Sequence, residues 1–475
     1  MNVRLASLLA DLEVLEVVGG DTSRVDVASV TQDSRAVVPG SLYCCIAGGH
    51  ADGHDLAGEV VAAGAGSLLV EHVVDASVAQ VRVASTRRAA APVAAAFFGH
   101  PSRRLSVVGV TGTNGKTTTT HMLASVLRSA GRCTGVIGTL SGARTTPEAP
   151  VLQRQLAALA DDGCEAVAME VSSMALDQHR ADAIDFAAAV WTNLSQDHLD
   201  YHGDMESYFL AKARLFERSR CALAVVNGDD RWGRRLLGAL EVPTIAYGLA
   251  DAEGLRMEAG TSRFSWRGEK VALPLGGTHN VVNALAAATV ADALGTSARL
   301  VAEGLSAVPP IPGRWQAVNA GQDFAVIVDY AHTPDALAEV LGAARRAVAP
   351  GGRVLVVFGC GGDRDRGKRP LMAAAATTLA DVAVLTSDNP RSEDPLAIID
   401  EVAKGATRRE VLVVEPDRER AIAHALGAAR AGDLVLLAGK GHETGQVIGD
   451  RVLPFDDHEV ALRLLGHHVG DPGPW

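Results

Sequence analysis

Residues 109–118 read GVTGTNGKTT, and this segment constrains the fold of the chain more than any other. An apolar, β-branched run at 106–110 precedes the glycines, and a helix-like segment at 121–130 follows them. In the order strand, glycine loop and helix, backbone N–H groups and the positive end of the helix dipole converge on phosphate oxygens. An ordinary glycine turn is the alternative, but the Gly-Lys-Thr-Thr ending favours a phosphate-binding loop.

The loop predicts a site for a nucleoside triphosphate. In this interpretation Lys116 lies against the outer phosphates and the Thr117 hydroxyl ligates Mg²⁺. The general pattern G-x-x-x-x-G-K-[ST] would begin with a glycine at position 110, where this chain has Val110. Gly112 is therefore the first glycine of a variant loop, T-G-T-N-G-K-T, and Gly115 is the second.

Length and composition limit the class of protein. A chain of 475 residues is expected to form about two to four domains. Its net charge of −12 argues against a nucleic-acid partner, because nucleic-acid binders present a basic surface. The six cysteines form no C-x-x-C pair, the N-terminus shows no signal peptide, and no run reaches about 18 apolar residues. We expect a cytosolic protein that does not insert into a membrane.

Two linkers divide the chain into three units, with expected boundaries at 1–103, 104–312 and 313–475. The first linker, residues 100–104, reads HPSRR, and the second, residues 308–313, contains consecutive prolines. In the second and third units β-branched runs alternate with Ala/Leu-rich segments, which is typical of parallel sheets covered by helices. The predicted fold class is α/β, with an N-terminal α/β unit, a parallel sheet behind the phosphate loop and a doubly wound, Rossmann-like third unit. Strands of the third unit are predicted at 325–328, 354–358, 382–385, 411–414 and 434–437.

Three features of the second unit are candidates for chemistry. Glu170 ends a predicted strand, where a carboxylate commonly holds Mg²⁺ in phosphate-loop proteins, although a surface glutamate is the alternative. Residues 192–202 contain two histidines and two aspartates, either as ligands or as a solvated loop with capping aspartates. Lys212 lies in a helical stretch at 208–217, and its spacing alone predicts a surface lysine whose stem packs on aromatic residues.

Four polar loops follow strands of the third unit, at 329–335, 361–369, 388–393 and 439–443. The carboxyl ends of parallel strands meet at one edge of a sheet, so these loops are expected to converge on one crevice. The second loop carries three arginines and a lysine, which suit anionic groups unless the loop is only a solvated charged one.

Taken together, eleven motifs make the chain resemble the Mur ligase family, and they occur in that family's order along nearly the whole sequence. The motifs are TQDSR (31–35), ADGHD (51–55), TGTNGKTT (111–118), TTPE (145–148), EVSS (170–173), DHLDYHG (197–203), HNVVNALAA (279–287), DYAHTPDAL (329–337), GCGGDRDRGKRP (359–370), DNPRSE (388–393) and GKGHE (439–443). The resemblance is strongest to the members that attach diaminopimelate to UDP-N-acetylmuramoyl-L-alanyl-D-glutamate in peptidoglycan synthesis.

The resemblance implies an N-terminal UDP-substrate domain, a central ATPase domain and a C-terminal domain that takes the incoming amino acid. It also implies an amide synthesis driven by ATP, in which the D-glutamate carboxylate attacks the γ-phosphoryl group and forms an acyl phosphate. The amine of the amino acid then displaces phosphate. Phosphorylation is required because a carboxylate is a poor electrophile until one of its oxygens becomes a good leaving group.

The resemblance also assigns roles residue by residue. The implied catalytic residues are Lys116, Glu170, His198 and Lys212. The implied magnesium ligands are Thr117, Glu170, His198 and Lys212, the last as a carbamate formed with CO₂, which reverses its prediction as a surface lysine. The implied ATP contacts are Gly112, Thr113, Asn114, Gly115, Lys116, Thr117, Thr118, Asn280, Arg314 and Asp329. The implied contacts of the UDP substrate are Ser34, near the UDP end, and Thr145, Thr146, Ser172, Gln178 and Arg180, which face the muramoyl dipeptide. The implied contacts of the amino acid are Asn389, Arg391, Gly439 and Glu443.

Arg391 favours diaminopimelate as the amino acid, because a guanidinium group suits the second carboxylate that lysine lacks. The alternatives are a Mur-like ligase for L-lysine or another residue, a folylpolyglutamate synthase-like ligase, and an inactive nucleotide-binding homologue. Two positions depart from the family pattern: Gln316 replaces a usual acidic residue, and Met174 replaces a usual histidine. The expected partners are small-molecule substrates, and the expected state is a monomer.

Overall fold

The computed structural model describes residues 2–49, 51–258 and 260–470 and contains three α/β units that follow one another along the chain. Each unit has a sheet of its own, which confirms the predicted fold class. The domain boundaries at 1–103, 104–312 and 313–475 stay predictions. No described sheet combines strands from two of these ranges. Within the described ranges, no helix is both long and apolar enough to span a bilayer.

The N-terminal unit is a five-stranded sheet covered by one longer helix. Its elements are β1 (Val3–Arg4), α1 (Leu5–Leu8), β2 (Val14–Val18), β3 (Asp26–Val27), β4 (Ser29–Thr31), β5 (Ser41–Cys44), α2 (Ala57–Ala62), β6 (Ala65–Val70), β7 (Ala79–Val83) and α3 (Thr86–Phe97). The strand order is β2-β7-β6-β5-β4, with β4 to β7 parallel and β2 antiparallel to β7. Helix α3 packs Ala90, Val93 and Ala94 into the core that lies against this sheet.

The central unit is a six-stranded parallel sheet with helices on both faces. Its elements are β8 (Ser106–Thr111), α4 (Lys116–Ser129), β9 (Thr134–Ile137), α5 (Ala149–Asp161), β10 (Ala166–Glu170), α6 (Ser173–Asp177), β11 (Phe186–Trp191), α7 (Leu199–His202), α8 (Met205–Ala213), β12 (Ala224–Asn227), α9 (Arg231–Leu237), β13 (Thr244–Tyr247), β14 (Glu253–Met257), β15 (Ser262–Trp266), β16 (Glu269–Leu273), α10 (Thr278–Ala293) and α11 (Ala298–Ser306). Helices α4, α10 and α11 pack on one face of the sheet, and α5, α8 and α9 on the other. Strands β14 to β16 form a separate antiparallel sheet.

Strand order in the central sheet, β13-β12-β11-β8-β10-β9, positions the phosphate loop. Strand β8 lies between β11 and β10, and Glu170 at the end of β10 pairs with Val110 of β8. The loop after β8 therefore emerges between Glu170 and the segment 192–202, which follows β11. Residues far apart in the sequence become neighbours at this edge because parallel strands present their carboxyl ends together.

The C-terminal unit is a doubly wound sheet, as predicted. Its elements are β17 (Gln316–Val318), β18 (Ala325–Asp329), α12 (Pro334–Ala347), β19 (Val354–Phe358), α13 (Lys368–Leu379), β20 (Val382–Leu385), α14 (Pro395–Ala403), β21 (Leu412–Val414), α15 (Arg418–Ala428), β22 (Leu434–Ala438), β23 (Gly445–Ile448), β24 (Arg451–Pro454) and α16 (Asp457–Gly470). The strand order is β17-β18-β22-β19-β20-β21, and only β17 is antiparallel to its neighbour. Helices α12 to α14 cover one face, and α15 and α16 cover the other.

Most predicted elements are present, with ends that differ by a few residues. All five strands predicted in the third unit occur within one residue of their predicted ends. The helix after the phosphate loop begins earlier than predicted, at Lys116, directly after Gly115 in a left-handed conformation. Strand β17 and the β23–β24 hairpin lie outside the predicted strands, because such short segments of mixed polarity carry no alternating pattern.

Candidate active site

The phosphate loop depends on its two glycines. Gly112 and Gly115 have φ angles of +149° and +84°. A Cβ atom at Gly112 would lie 1.9 Å from Thr192 Oγ1, and one at Gly115 would lie 2.3 Å from Asn283 Oδ1. Both positions therefore require glycine, for the backbone conformation and for the space.

Two lysine amines meet at this loop. Lys116 Nζ donates to the carbonyl oxygens of Gly112 at 3.0 Å and Thr113 at 2.8 Å. Lys212 Nζ donates to the same Gly112 oxygen at 2.8 Å and lies 4.7 Å from the centre of the Tyr208 ring. Burial lowers the pKa of Lys116, and burial together with the charge of Lys116 lowers the pKa of Lys212 well below its usual value.

The prediction of a surface lysine at position 212, made from spacing alone, is wrong. The Lys212 residue is 1% exposed. Helix α8 turns Tyr208, Phe209 and Ala211 inwards together with Lys212, so the amine points at the phosphate loop and away from solvent. Helical spacing could not show this, because the loop that covers the lysine lies about a hundred residues earlier.

Glu170 and His198 lie on the wall of the same cavity. Glu170 is buried, and its two carboxylate oxygens accept hydrogen bonds from the Thr139 N–H (2.8 Å) and Thr139 Oγ1 (3.1 Å). His198 has a left-handed backbone (φ +54°), and its Nε2 lies 3.4 Å from Asp197 Oδ2. Burial lowers the pKa of His198 to about 4 although Asp197 acts in the opposite direction, so the ring is neutral near pH 7 and offers a lone pair.

The C-terminal unit reaches the phosphate loop through Arg314. Its Nη2 donates to Thr117 Oγ1 at 3.2 Å, and its guanidinium carbon lies 4.4 Å from the centre of the Tyr330 ring. Asp329, at the end of β18, accepts a hydrogen bond from the Trp315 N–H at 2.8 Å. Burial raises the pKa of Asp329, while the Arg314 charge opposes that rise. These contacts fix a cation of one unit against the nucleotide loop of another.

The two departures from the family pattern have different positions. Gln316 Oε1 accepts a hydrogen bond from the Gly313 N–H at 2.8 Å, so this side chain holds the turn that presents Arg314. Met174 lines the cavity beside Ser172.

One cavity of about 970 Å³ joins these groups. The predicted site residues on its wall are Thr113, Asn114, Gly115, Lys116, Thr117, Thr118, Thr145, Thr146, Glu170, Ser172, Arg180, His198, Asn280, Arg314 and Asp329. Gly112 and Lys212 are not part of the cavity lining. The Gly112 carbonyl oxygen accepts hydrogen bonds from both Lys116 and Lys212. The other predicted residues, Ser34, Gln178, Asn389, Arg391, Gly439 and Glu443, are not part of this lining.

Predicted substrate contacts surround the end of β10. Thr146 Oγ1 donates to the Glu170 carbonyl oxygen at 3.0 Å and accepts a hydrogen bond from the Ser172 N–H at 3.0 Å. Thr145 Oγ1 lies 3.0 Å from Thr139 Oγ1, the hydroxyl that also contacts Glu170. Hydroxyl groups that face the cavity are thus fixed directly beside the candidate metal ligand.

A second network links this region to the N-terminal unit. Arg180 Nη2 lies 2.5 Å from Gln178 Oε1 and 3.0 Å from Glu148 Oε1. Gln32 Nε2 of the N-terminal unit donates to Glu148 Oε2 at 3.0 Å. Ser34 follows Gln32 closely, at the start of the short 3₁₀ turn Ser34–Ala36. The carboxylate of Glu148 therefore connects the unit that contains Ser34 to the cavity wall.

The predicted contacts of the amino acid form a separate cluster after β20 and β22. Asn389 Nδ2 donates to Glu443 Oε2 at 2.8 Å. Lys440 is fully buried, and its Nζ lies 3.4 Å from both Asn389 Oδ1 and Glu443 Oε2. Arg391 has a left-handed backbone (φ +52°) and donates from Nη1 to a carbonyl oxygen of the loop 361–369 at 2.6 Å. Gly439, with φ +111°, starts the loop that carries Lys440 and Glu443.

Comparison with known proteins finds matches to two family models and to relatives that align along most of the chain. A family model described as Mur ligase middle domain matches residues 110–291, and one described as Mur ligase, glutamate ligase domain matches residues 313–441. The UDP-N-acetylmuramoyl-L-alanyl-D-glutamate–2,6-diaminopimelate ligase of Geobacillus thermodenitrificans is 46% identical over 462 residues, covering 92% of this chain and 94% of that protein. This chain belongs to the Mur ligase family.

Solved structures have the same architecture as this Mur ligase. One structure of a UDP-N-acetylmuramoyl-L-alanyl-D-glutamate–2,6-diaminopimelate ligase covers 99% of this chain and 100% of its own, with a TM-score of 0.69 and 31% identity. A MurF ligase from Thermotoga maritima, solved in complex with ADP, covers 93% of this chain and 97% of its own, with a TM-score of 0.65. Its 18% identity shows the fold alone.

Three residues of this Mur ligase support the site although they are not among the predicted site residues. Asn193 Oδ1 accepts a hydrogen bond from the Asn114 N–H at 2.9 Å and so braces the phosphate loop. Asn283 lies against Gly115, and Lys440 joins the amino-acid cluster. Each lies within a motif or loop that the sequence marks as a candidate, but only packing shows which member of the motif makes the contact.

Proposed function

We propose that this Mur ligase uses ATP to join diaminopimelate to UDP-N-acetylmuramoyl-L-alanyl-D-glutamate in peptidoglycan synthesis. The observation that carries the proposal is one cavity onto which the phosphate loop, Glu170 and four of the predicted dipeptide contacts open, namely Thr145, Thr146, Ser172 and Arg180. The diaminopimelate ligase of Geobacillus thermodenitrificans, which aligns with 92% of the chain, supports this choice of substrates. A folylpolyglutamate synthase-like activity is disfavoured, because the alignment with the diaminopimelate ligase covers nearly the whole chain and is not limited to the ATPase core.

The first step of the proposed reaction is attack of the D-glutamate carboxylate on the γ-phosphoryl group of ATP. This forms the acyl phosphate and releases ADP. Charge on the transferring group is best stabilised by cations that are in place before the reaction. Lys116 and Arg314 both line the cavity, and the hydrogen bond from Arg314 to Thr117 holds the guanidinium beside the loop.

The residues on the cavity wall fit Mg²⁺. Within the described ranges, no three His, Cys, Asp or Glu side chains lie close enough together to hold a metal ion by themselves. Mg²⁺ in nucleotide sites does not need such a cage, because it keeps several waters and takes phosphate oxygens with one or two carboxylates. Glu170 and Thr117 would supply hard oxygen atoms and His198 a neutral nitrogen. The bound ion would neutralise charge on the phosphate oxygens.

The surroundings of Lys212 fit a carbamate. Carbamate formation requires a neutral amine, which attacks CO₂ and loses a proton. The lowered pKa of Lys212, caused by burial and by the charge of Lys116, increases the fraction of the neutral amine at a given pH. An anionic group at this position would also replace the repulsion between Lys212 and Lys116 by an attraction. The carbamate oxygens would then be available to a second Mg²⁺.

The second step is attack of the amino-acid amine on the acyl carbon, with loss of phosphate. Asn389, Arg391 and Glu443 are the proposed contacts of diaminopimelate. The guanidinium of Arg391 can pair with a carboxylate in bidentate fashion, and Glu443 can accept a hydrogen bond from an ammonium group. We also propose that the protein works as a monomer in the cytoplasm, where its co-substrate ATP is available.

A phosphate-release assay tests the proposed function. Purified protein is given ATP and Mg²⁺ with either UDP-N-acetylmuramoyl-L-alanyl-D-glutamate and a panel of amino acids, or a folate and glutamate. The mass of each product is measured by mass spectrometry. Release that depends on diaminopimelate, with a product heavier by one diaminopimelate residue, is the expected result. Phosphate release with L-lysine in place of diaminopimelate would overturn the proposed amino-acid substrate but not the proposed ligase activity. Release only with a folate and glutamate, or with no panel member, would overturn the proposal.

A further inference from the structure

Two cysteines that are 31 positions apart lie side by side in the central unit. The Sγ atoms of Cys133 and Cys164 are 2.7 Å apart. Cys133 immediately precedes β9, the edge strand of the sheet, and Cys164 lies two residues before β10, its neighbour. All six cysteines of the chain are free thiols in this structure.

Backbone hydrogen bonds hold the two cysteine-bearing segments next to each other. The Cys133 carbonyl oxygen accepts hydrogen bonds from the N–H groups of Glu165 (2.9 Å) and Ala166 (3.2 Å), and Ala166 pairs with Thr134 in the parallel ladder. Neighbouring strands lie about 4.8 Å apart. The ladder puts Cys133 level with Glu165, one residue from Cys164, and the two Sγ atoms are already 2.7 Å apart, so a disulfide of about 2.05 Å requires little movement.

Cys133 and Cys164 are also more accessible to solvent than the other four cysteines. Cys133 is exposed and Cys164 is half-buried, whereas Cys44, Cys45, Cys221 and Cys360 are buried. Burial, with a smaller effect of the Cys133 sulfur, raises the pKa of the Cys164 thiol to about 11. An oxidant in solution therefore meets the exposed Cys133 first, and Cys164 lies next to it as the second thiol.

We propose that Cys133 and Cys164 form a reversible intramolecular disulfide when the protein meets a peroxide. The Cys133 thiolate attacks one oxygen of hydrogen peroxide, the O–O bond breaks, and one water leaves as a sulfenic acid forms. The Cys164 sulfur then attacks the Cys133 sulfur, the S–O bond breaks, and a second water leaves. Two thiols are oxidised, one peroxide is reduced, and the two thiol protons end in the waters.

The disulfide would brace the edge of the sheet at the end remote from the cavity. Cys133 and Cys164 precede the amino ends of β9 and β10, whereas Thr139 and Glu170 lie at or beyond the carboxyl ends of the same strands. A cross-link that closes a loop of this length restricts the unfolded chain and leaves the folded contacts unchanged. The expected consequence is a more stable central unit under oxidising conditions.

The experiment treats the full chain with a small excess of hydrogen peroxide and measures intact mass and thermal unfolding before and after a dithiol reductant. The expected mass change is a loss of about 2 Da per chain, two hydrogen atoms, that the reductant reverses. Alkylation of the peroxide-treated protein under denaturing conditions, before the reductant is added, should modify two fewer cysteines than in the untreated protein. Peptide mapping of the same sample should find Cys133 linked to Cys164. The midpoint of thermal unfolding should rise by about 5 °C or more.

Single substitutions provide the matched controls. C133S and C164S should each fail to show the mass loss and the rise in the unfolding midpoint under the same treatment. A C221A variant, which changes a buried cysteine of the same unit, should keep both responses. Oxygen addition at Cys133 without loss of the Cys164 thiol, or a disulfide between two chains, would overturn the proposal. Two freely alkylated thiols after peroxide treatment would overturn it as well.

Discussion

The side-chain amines of Lys116 and Lys212 share one acceptor, the carbonyl oxygen of Gly112, at 3.0 Å and 2.8 Å. One lysine comes from the phosphate loop and the other from α8, so the tertiary structure brings two basic side chains together, and that of Lys212 is buried. Such an arrangement is unfavourable while both amines are protonated, and the pKa of Lys212 is lowered accordingly. It becomes favourable if Lys212 is converted into an anion.

Lys212→Ala should reduce the ligase rate by about 100-fold or more, because a fixed charge at the phosphate site is lost. Short carboxylic acids such as acetate should restore part of the rate in this variant, since they can replace the carbamate oxygens. Steady-state kinetics with and without acetate measure both effects. Lys270→Ala, at an exposed position on β16, serves as the control and should behave like the wild type. Full activity of Lys212→Ala would remove the proposed role.

Gly115→Ala should raise KM for ATP by roughly tenfold or more, since its Cβ would lie 2.3 Å from Asn283 Oδ1. Gly131→Ala is the matched control. Gly131 has a similar φ of +79°, but a Cβ there meets no atom within 4 Å. The control should therefore lose only about 1 kcal/mol of stability and keep the wild-type KM. Equal KM values in the two variants would show that the loop contact is unimportant.

Arg391→Ala should raise KM for diaminopimelate by about 10- to 100-fold, the range expected for loss of a charge-assisted hydrogen bond. KM for ATP should change little, because Arg391 is not part of the cavity wall that holds the phosphate loop. Initial rates with each substrate varied in turn measure the difference. Arg451→Ala changes an exposed arginine on the neighbouring hairpin and should leave both constants unchanged. An equal rise of both constants in Arg391→Ala would mean that the amino-acid pocket lies elsewhere.

Acid should destabilise the protein partly through His279. Burial, with a smaller effect of Arg346, lowers the pKa of His279 from 6.5 to about 4. Between these values the unfolded chain binds a proton that the folded chain does not, so the free energy of unfolding falls as the pH falls from 6.5 towards 4. Denaturant unfolding of the nucleotide-free protein at pH 7.5 and pH 5 measures the loss. His279→Gln should reduce that loss by about 1–2 kcal/mol, and an identical loss in both proteins would contradict the assignment.

Two ion pairs join α15 to α16 and should differ strongly in their effect on stability. Arg418 and Asp457 are buried, with Nη2 to Oδ2 at 2.6 Å, whereas Arg463 and Glu419 form an exposed pair at 2.9 Å. Asp457→Asn leaves a buried charge unpaired and should cost about 3–5 kcal/mol in denaturant unfolding. Arg463→Ala should leave the denaturation midpoint nearly unchanged. Similar midpoints for the two variants would contradict the difference in burial as the cause.

Much of the fold is visible in local sequence pattern. Strands such as Val354–Phe358 are continuous apolar runs that end in glycine, and a buried parallel strand needs no more than that to be recognised. The phosphate loop is equally local, since its glycines, lysine and threonine are consecutive in the chain. The short edge strand Gln316–Val318 shows the limit, because its extended form depends on pairing with β18.

The sequence by itself determined the phosphate loop, the α/β class and the membership of the motifs in one family, because each is encoded by neighbouring residues. Only the tertiary structure decided that Lys212 is buried against Gly112, that Glu148 connects Gln32 to Arg180, and that Cys133 touches Cys164. These contacts join positions distant in the chain, and strand order and helix packing bring them together. No local pattern of hydrophobicity or spacing specifies that geometry.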